Sequence, residues 1–358
     1  QKEGALMKMP KQKAGKRWLV FVGLLLAGAA VLMATLKRPK PLDIRVVGPS
    51  PIPGSSYYDT EDPNDLESGN PWKPGAFLTH LPIFYQKYLE QEPAPEQQLD
   101  CAQKFGALFG VGEITQHERV NQYFDFSGGQ IQVENEGLLE IQFDSIPFPE
   151  PDWFPENTAD AEYEQALKML DVFLNRYAKI LGIEKPVSCT LYDSAHLYRL
   201  YVEAYEGKGT LAEQFVAYHF NKVYFFYSGK SLSISRQTSD GLEKVGDYPI
   251  ISLQKAQQML EEGLYTSNPY GTETAFVSTL EQIVKTDLIY FTNYYNLTVP
   301  FYRFFVPMPY SVVGDFHLIN FPCDKTVLQC YYVPAIPLEY VKDPSVFGMQ
   351  FRNWKSRE

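Results

Sequence analysis

Cysteine and histidine are scarce in this chain: four and five in 358 residues. Cys101, Cys189, Cys323 and Cys330 are too sparse for a disulfide scaffold, although Cys323 and Cys330 are near enough in sequence to bridge across a hairpin. His80, His117, His196, His219 and His317 are scattered along the chain, so the close ligand spacing of a zinc site is missing. No Gly-x-Ser-x-Gly occurs, which leaves Ser/His/Asp hydrolysis without a nucleophile position. Ser228-Gly229-Lys230-Ser231 ends like a phosphate-binding loop, but Tyr224 stands where that loop requires its first glycine. The segment reads as a hairpin turn instead. Glu134, Glu136 and Glu140, and the pair Glu261-Glu262, read as solvated carboxylates, since their spacing does not define a glycosidase acid–base pair. The expectation is a non-enzymatic chain with no catalytic residues, no cofactor and no metal.

Positive charge is also scarce beyond the N-terminus. Ten of the 32 Lys and Arg lie in residues 1–45, against only Glu3 and Asp43. Setting those aside leaves 22 basic and 41 acidic residues, a net charge of −19 on the rest. So acidic a body is a poor ligand for a polyanion, and nucleic acid is excluded as a partner.

Long apolar runs are absent except for one. Trp18 to Leu36 holds nineteen residues without a charge, between Lys16-Arg17 and Lys37-Arg38. At about 1.5 Å of rise per residue such a helix spans a hydrocarbon core of roughly 30 Å. Six basic residues precede it and four follow within the next nine, so the positive-inside rule keeps residues 1–17 in the cytoplasm. The alternative is a cleaved signal peptide. Against it, the run exceeds a usual apolar region of about 7–15 residues and Lys37-Arg38-Pro39-Lys40 sits where small residues would be cut. The expected partners are therefore the lipid bilayer, through residues 18–36, and a membrane or envelope protein outside the cytoplasm.

Taken in order, residues 37–94 form a Pro-rich linker in which Leu81–Leu89 alone has helical spacing. A first module, 95–150, starts with a helix over Glu96–Phe109. A hairpin, Val120–Phe126 and Gln130–Asn135 around Ser127-Gly128-Gly129, follows, then a strand at Gly137–Phe143. A second, 151–247, starts with a helix from Thr158 to Leu181, then strands at Val187–Asp193, His196–Gly207, Glu213–Gly229 and Lys230–Gln237. A third, 248–340, has Ser252 capping a helix over Leu253–Gly263 with Ala256, Met259 and Leu260 inward, then strands at Leu280–Asn293, Val299–Met308 and Thr326–Ile336. Residues 341–358 are a tail. The expected fold class is α+β, repeated helix-plus-antiparallel-sheet modules behind one N-terminal transmembrane helix.

Within 248–336 the run YPIISLQKAQQMLEEGLY, then VPFYRFFV and YYVPAI, resembles the C-terminal part of YycH/YycI-type membrane-anchored regulators of Gram-positive bacteria, with PepSY-like modules. The resemblance implies a single-pass, extracytoplasmic protein that contacts a sensor kinase or another envelope partner, and it offers no catalytic residues.

Nine aromatics crowd residues 290–310. They read either as sheet core or as a groove for a peptide, glycan or lipid. Tyr290, Tyr294, Tyr295, Phe301, Tyr302 and Tyr310 are the candidate ligand or partner surface.

Overall fold

The computed structural model describes residues 39–42, 57–58, 69–87, 94–117, 122–134, 138–145, 147–148, 152–154, 163–193, 199–228, 231–267, 280–292, 296–309 and 326–342. The expected membrane segment 18–36 lies outside them. Among the described residues no helix is long and apolar enough to cross a membrane.

Alternating Val, Ile, Phe and Tyr suit a pleated surface, and strands dominate. In chain order they are β1 (Tyr57–Tyr58), β2 (His80–Gln86), β3 (Thr115–Gln116), β4 (Tyr123–Phe126), β5 (Gly129–Val133), β6 (Leu138–Phe143), β7 (Pro186–Asp193), β8 (Arg199–Glu206), β9 (Lys222–Ser228), β10 (Ser231–Gln237), β11 (Leu242–Pro249), β12 (Thr266–Ser267), β13 (Lys285–Thr292), β14 (Leu297–Pro309) and β15 (Thr326–Pro334). The helices are α1 (Pro95–Leu108), α2 (Tyr163–Tyr177), α3 (Leu211–Phe220) and α4 (Leu253–Glu261). The fold is α+β with antiparallel sheets, as expected at that level.

The strands make two sheets. The first, in the order β3-β4-β5-β6-β10-β9-β8-β7, is antiparallel throughout. Its β6–β10 pairing, with Ile141 opposite Ile234, fuses the first expected module to the second. The β4–β5 hairpin turns at Ser127-Gly128 as the sequence indicates. The β9–β10 hairpin pairs Ser228 with Ser231, and Gly229-Lys230, read as its turn, lie outside the described residues. One sheet face buries Phe124, Ile131, Ile141, Phe225 and Ile234 beneath α1 and α2. Phe173 of α2 stacks on Phe225 with centroids 5.4 Å apart. Each such ring sealed from water contributes about 1.5–3 kcal/mol. Gly106 in the last turn of α1 has a packing reason: a Cβ there would stand 2.6 Å from Ile114 Cδ1 and 2.7 Å from Val111 Cγ2. The close approach outweighs the roughly 1 kcal/mol that glycine costs in a helix.

The second sheet runs β1-β15-β14-β2-β11, with β12 on β15 and β13 on β14. Its β2 strand comes from the stretch read as linker with a short helix. Leu81 and Ile83 are fully buried there, and the strand pairs along its length with β11, 150 and more residues later. The chain of this sheet is thus interrupted by the whole of the first one. The linker is docked elsewhere too: Leu42 bridges Val341, β1 pairs β15, and Trp72 is buried against Tyr302. Ser252 caps α4, its Oγ accepting from the Lys255 amide, and Ala256, Met259 and Leu260 face inward. Tyr302, Phe304, Tyr331 and Val333 line the sheet face beneath.

One expected strand is a helix. Glu213–Phe220 belongs to α3, which is followed by the shorter strand β9. Thr210 Oγ1 accepts from the Glu213 amide at 3.3 Å while the Glu213 carboxylate accepts from the Thr210 amide at 2.7 Å, a reciprocal cap that commits the segment to helix.

Candidate functional site

From β4 to β10 the back face of the eight-stranded sheet is polar. Successive register partners across β4, β5, β6, β10, β9 and β8 are Tyr123, Gln132, Glu140, Ser235, Tyr224 and Glu203. At a strand spacing of about 4.8 Å this row is about 24 Å long. A neighbouring row carries Asp125, Gln130, Gln142 and Ser233. The side chains bond mainly to each other. Gln130 Nε2 donates to Gln142 Oε1 at 3.1 Å, Ser235 Oγ donates to Glu140 Oε2 at 2.9 Å, and the Tyr224 hydroxyl donates to Gln237 Oε1 at 3.0 Å. Gln132, Glu140, Gln142 and Ser235 are half-buried, whereas Ile131, Ile141 and Ile234 on the opposite face are sealed. The row therefore keeps polar groups within reach of solvent.

At its β8–β9 end the same face passes under α3 and becomes buried. Glu203 is 1% exposed and bonded to Lys222 Nζ at 2.7 Å. That ammonium also lies 4.4 Å from the Tyr218 ring centroid. The other side of α3 enters the second sheet: Phe215 packs among Trp72, Leu81 and Leu288, and Phe220 meets Phe84 edge to face at 5.2 Å. A helix held between two sheets has no polar face to spare, which explains its nearly unbroken apolar sequence. His219 sits in this junction, with Phe215, Tyr218 and Tyr290 ring centroids 4.6, 4.8 and 5.3 Å away. The Leu288 carbonyl of β13, which accepts from Asn70 Nδ2 at 2.9 Å, lies beside the ring and favours its proton. Nε2 is sealed from solvent and has no hydrogen-bond partner among the described residues. Burial, and then the cations Lys222 and Arg303, hold the imidazole well below its usual proton affinity.

The second sheet carries a further buried ion pair, Arg303 with Asp287 at 2.9 Å, directly opposite one another on β14 and β13. The Arg303 guanidinium also lies over the Phe305 ring at 4.8 Å. Cys330 is a buried free thiol, pushed by burial up to about 12, and such a thiol is inert as a nucleophile. Its proposed partner Cys323 lies outside the described residues. A polar groove of about 480 Å³ runs along α4, lined by Ser252, Lys255, Gln258, Glu261 and Leu280 among others. Among the described residues no group of three or more His, Cys, Asp or Glu is placed to hold a metal ion.

Of the candidate aromatic surface, Tyr294, Tyr295 and Tyr310 lie outside the described residues. Phe301 and Tyr302 are core residues, 1% and 3% exposed, so neither offers its ring to a ligand. The Tyr302 hydroxyl donates to the Ile251 carbonyl at 2.8 Å. Tyr290 is half-buried at the junction, its hydroxyl donating to the Pro82 carbonyl at 2.8 Å and its ring packed on Phe215, His219 and Phe220. His219, read as a strand residue, is on a helix; His196 and His317 lie outside the described residues. The polar row and the Glu203–Lys222 pair escaped the sequence reading. A usable signal was present at Glu203, a charge on the same strand face as Tyr205. Compared with protein families, curated proteins and solved structures, the chain matches none.

Proposed function

We propose that this chain is a single-pass, membrane-anchored regulatory protein without catalytic activity, whose folded body lies outside the cytoplasm and binds another envelope protein. A membrane sensor kinase is the partner class that the YycH/YycI resemblance suggests. The observation that carries the reading is the polar back face from Tyr123 to Tyr224. Several strands wide and lined with amide, hydroxyl and carboxylate groups, it offers the hydrogen-bonding chemistry of a protein–protein contact. A small molecule would favour a concave, mostly apolar pocket. The net charge of −19 beyond residue 45 suits a partner with a basic surface. Anchoring at Trp18–Leu36 would hold both proteins in one membrane at high effective concentration.

The alternative, capture of a peptide, glycan or lipid by the aromatic segment 290–310, rests on Tyr294, Tyr295 and Tyr310 now that Phe301 and Tyr302 are accounted for as core. Site-specific photocrosslinking in intact membranes separates the readings. A crosslinker at Gln142 on the polar face is expected to capture one membrane or envelope protein, and one at the exposed Asp171 of α2 to capture none. Equal capture from both positions, or from Asp171 alone, contradicts the assignment.

A further inference from the structure

We infer that His219 is an acid-sensitive latch between the two sheets. The ring sits where α3, lying on the first sheet, meets β13, the strand of the second sheet that carries Leu288 and Tyr290. In its neutral form Nε2 stays bare among the Phe215, Tyr218 and Tyr290 rings, without a hydrogen-bond partner among the described residues. Protonation places a second N–H there, and among the described residues no acceptor stands within reach of it.

The groups that surround the ring do not offset the added charge. Lys222 on β9 is a cation already matched to Glu203 on β8, and Arg303 on β14 is matched to Asp287 on β13. The Tyr290 hydroxyl of β13 is spent on the Pro82 carbonyl, and Asn70 on that of Leu288. The Tyr218 hydroxyl, on α3 itself, is buried without a hydrogen-bond partner among the described residues. A third cation must therefore be hydrated at Nε2, the sealed edge of a side chain that is otherwise only half-buried, and water reaches that edge only if α3 shifts from β13.

The sign follows from linkage. Because the closed junction binds the proton less readily than an open one, closure is fully favoured above the ordinary histidine value of about 6.5. Below it, the ratio of open to closed rises by up to tenfold per pH unit, until the closed form also takes up the proton. The device stands whether or not the partner reading above holds.

The test is amide hydrogen exchange of the full chain in detergent micelles between pH 7.5 and 5.0, corrected for the intrinsic pH dependence of exchange. Peptides covering 211–220 and 285–292 are expected to lose protection about tenfold between pH 6.0 and 5.0, while 129–143 keep theirs. H219Q, which retains a donor for Leu288 but cannot charge, should show no such step. Equal loss in wild type and H219Q, or loss spread equally over 129–143, overturns the latch. An NMR titration of the wild-type ring covers the case in which H219Q does not fold. A midpoint at or above 6.5 overturns the proposal, and one well below it supports it.

Discussion

Replacing Lys222 with methionine tests how the first sheet holds α3. The substitution keeps most of the apolar stem and removes the ammonium that lies 2.7 Å from Glu203 and 4.4 Å from the Tyr218 ring. Glu203, at 1% exposure, then loses the ammonium bonded to it. Removing one member of such a pair costs about 3–5 kcal/mol. The lost cation–π contact adds about 0.5–2 kcal/mol. Against a typical stability of roughly 5–15 kcal/mol this is a severe lesion. The double replacement E203L/K222M removes both charges and should recover most of the loss, because the attraction of a buried pair does little more than repay its own desolvation. The assay is urea unfolding of the full chain in detergent at pH 7.5, followed by tryptophan fluorescence and far-ultraviolet circular dichroism. A loss below about 1 kcal/mol in K222M, or a double variant no more stable than the single one, refutes the reasoning.

Two further predictions concern packing and capping. Phe225→Ala removes the ring stacked on Phe173 at 5.4 Å and should cost about 3–5 kcal/mol in the same unfolding assay. Thr210→Ala removes the oxygen that accepts from the Glu213 amide and should cost about 1 kcal/mol, with faster exchange in 211–214 ahead of the rest of α3.

What was legible in the sequence was local. The β4–β5 hairpin announced itself through Ser127-Gly128-Gly129 between alternating strands, and α4 through the Ser252 cap and the spacing of Ala256, Met259 and Leu260. What was not legible depends on partners far away in the chain. Pro82 and its neighbours looked like the start of a short helix, and only pairing with β11 and β14 makes them β2. The same long-range closure places the 115–237 sheet inside the chain of the second sheet, so modules cut in sequence order do not follow the sheets. In α3 the helical period is hidden because Phe215, Ala217, Tyr218 and Phe220 are all buried, and Val, Phe and Tyr carry strand propensity. The aromatic density of 290–310 marked core of the second sheet, in Phe301, Phe304 and Phe305. The candidate surface is instead built from Gln, Ser and Glu, residues that stand out only once strand register puts them on one face.

The central claim is that this face binds a protein partner, and capture from membranes tests it most directly. Full-length wild type and the variant Q142R/S235R, both carrying the same affinity tag, are purified after crosslinking, and co-purifying proteins are quantified. Two cations added to the middle of the row should repel a basic partner. The account predicts that one membrane or envelope protein is enriched with wild type and falls at least about tenfold with the variant, a loss of roughly 1.4 kcal/mol or more in binding. The variant should stay folded, losing no more than about 1 kcal/mol for each of the Gln130–Gln142 and Ser235–Glu140 bonds. A partner captured equally by both proteins would contradict the account, and would move the interface to another surface of the molecule.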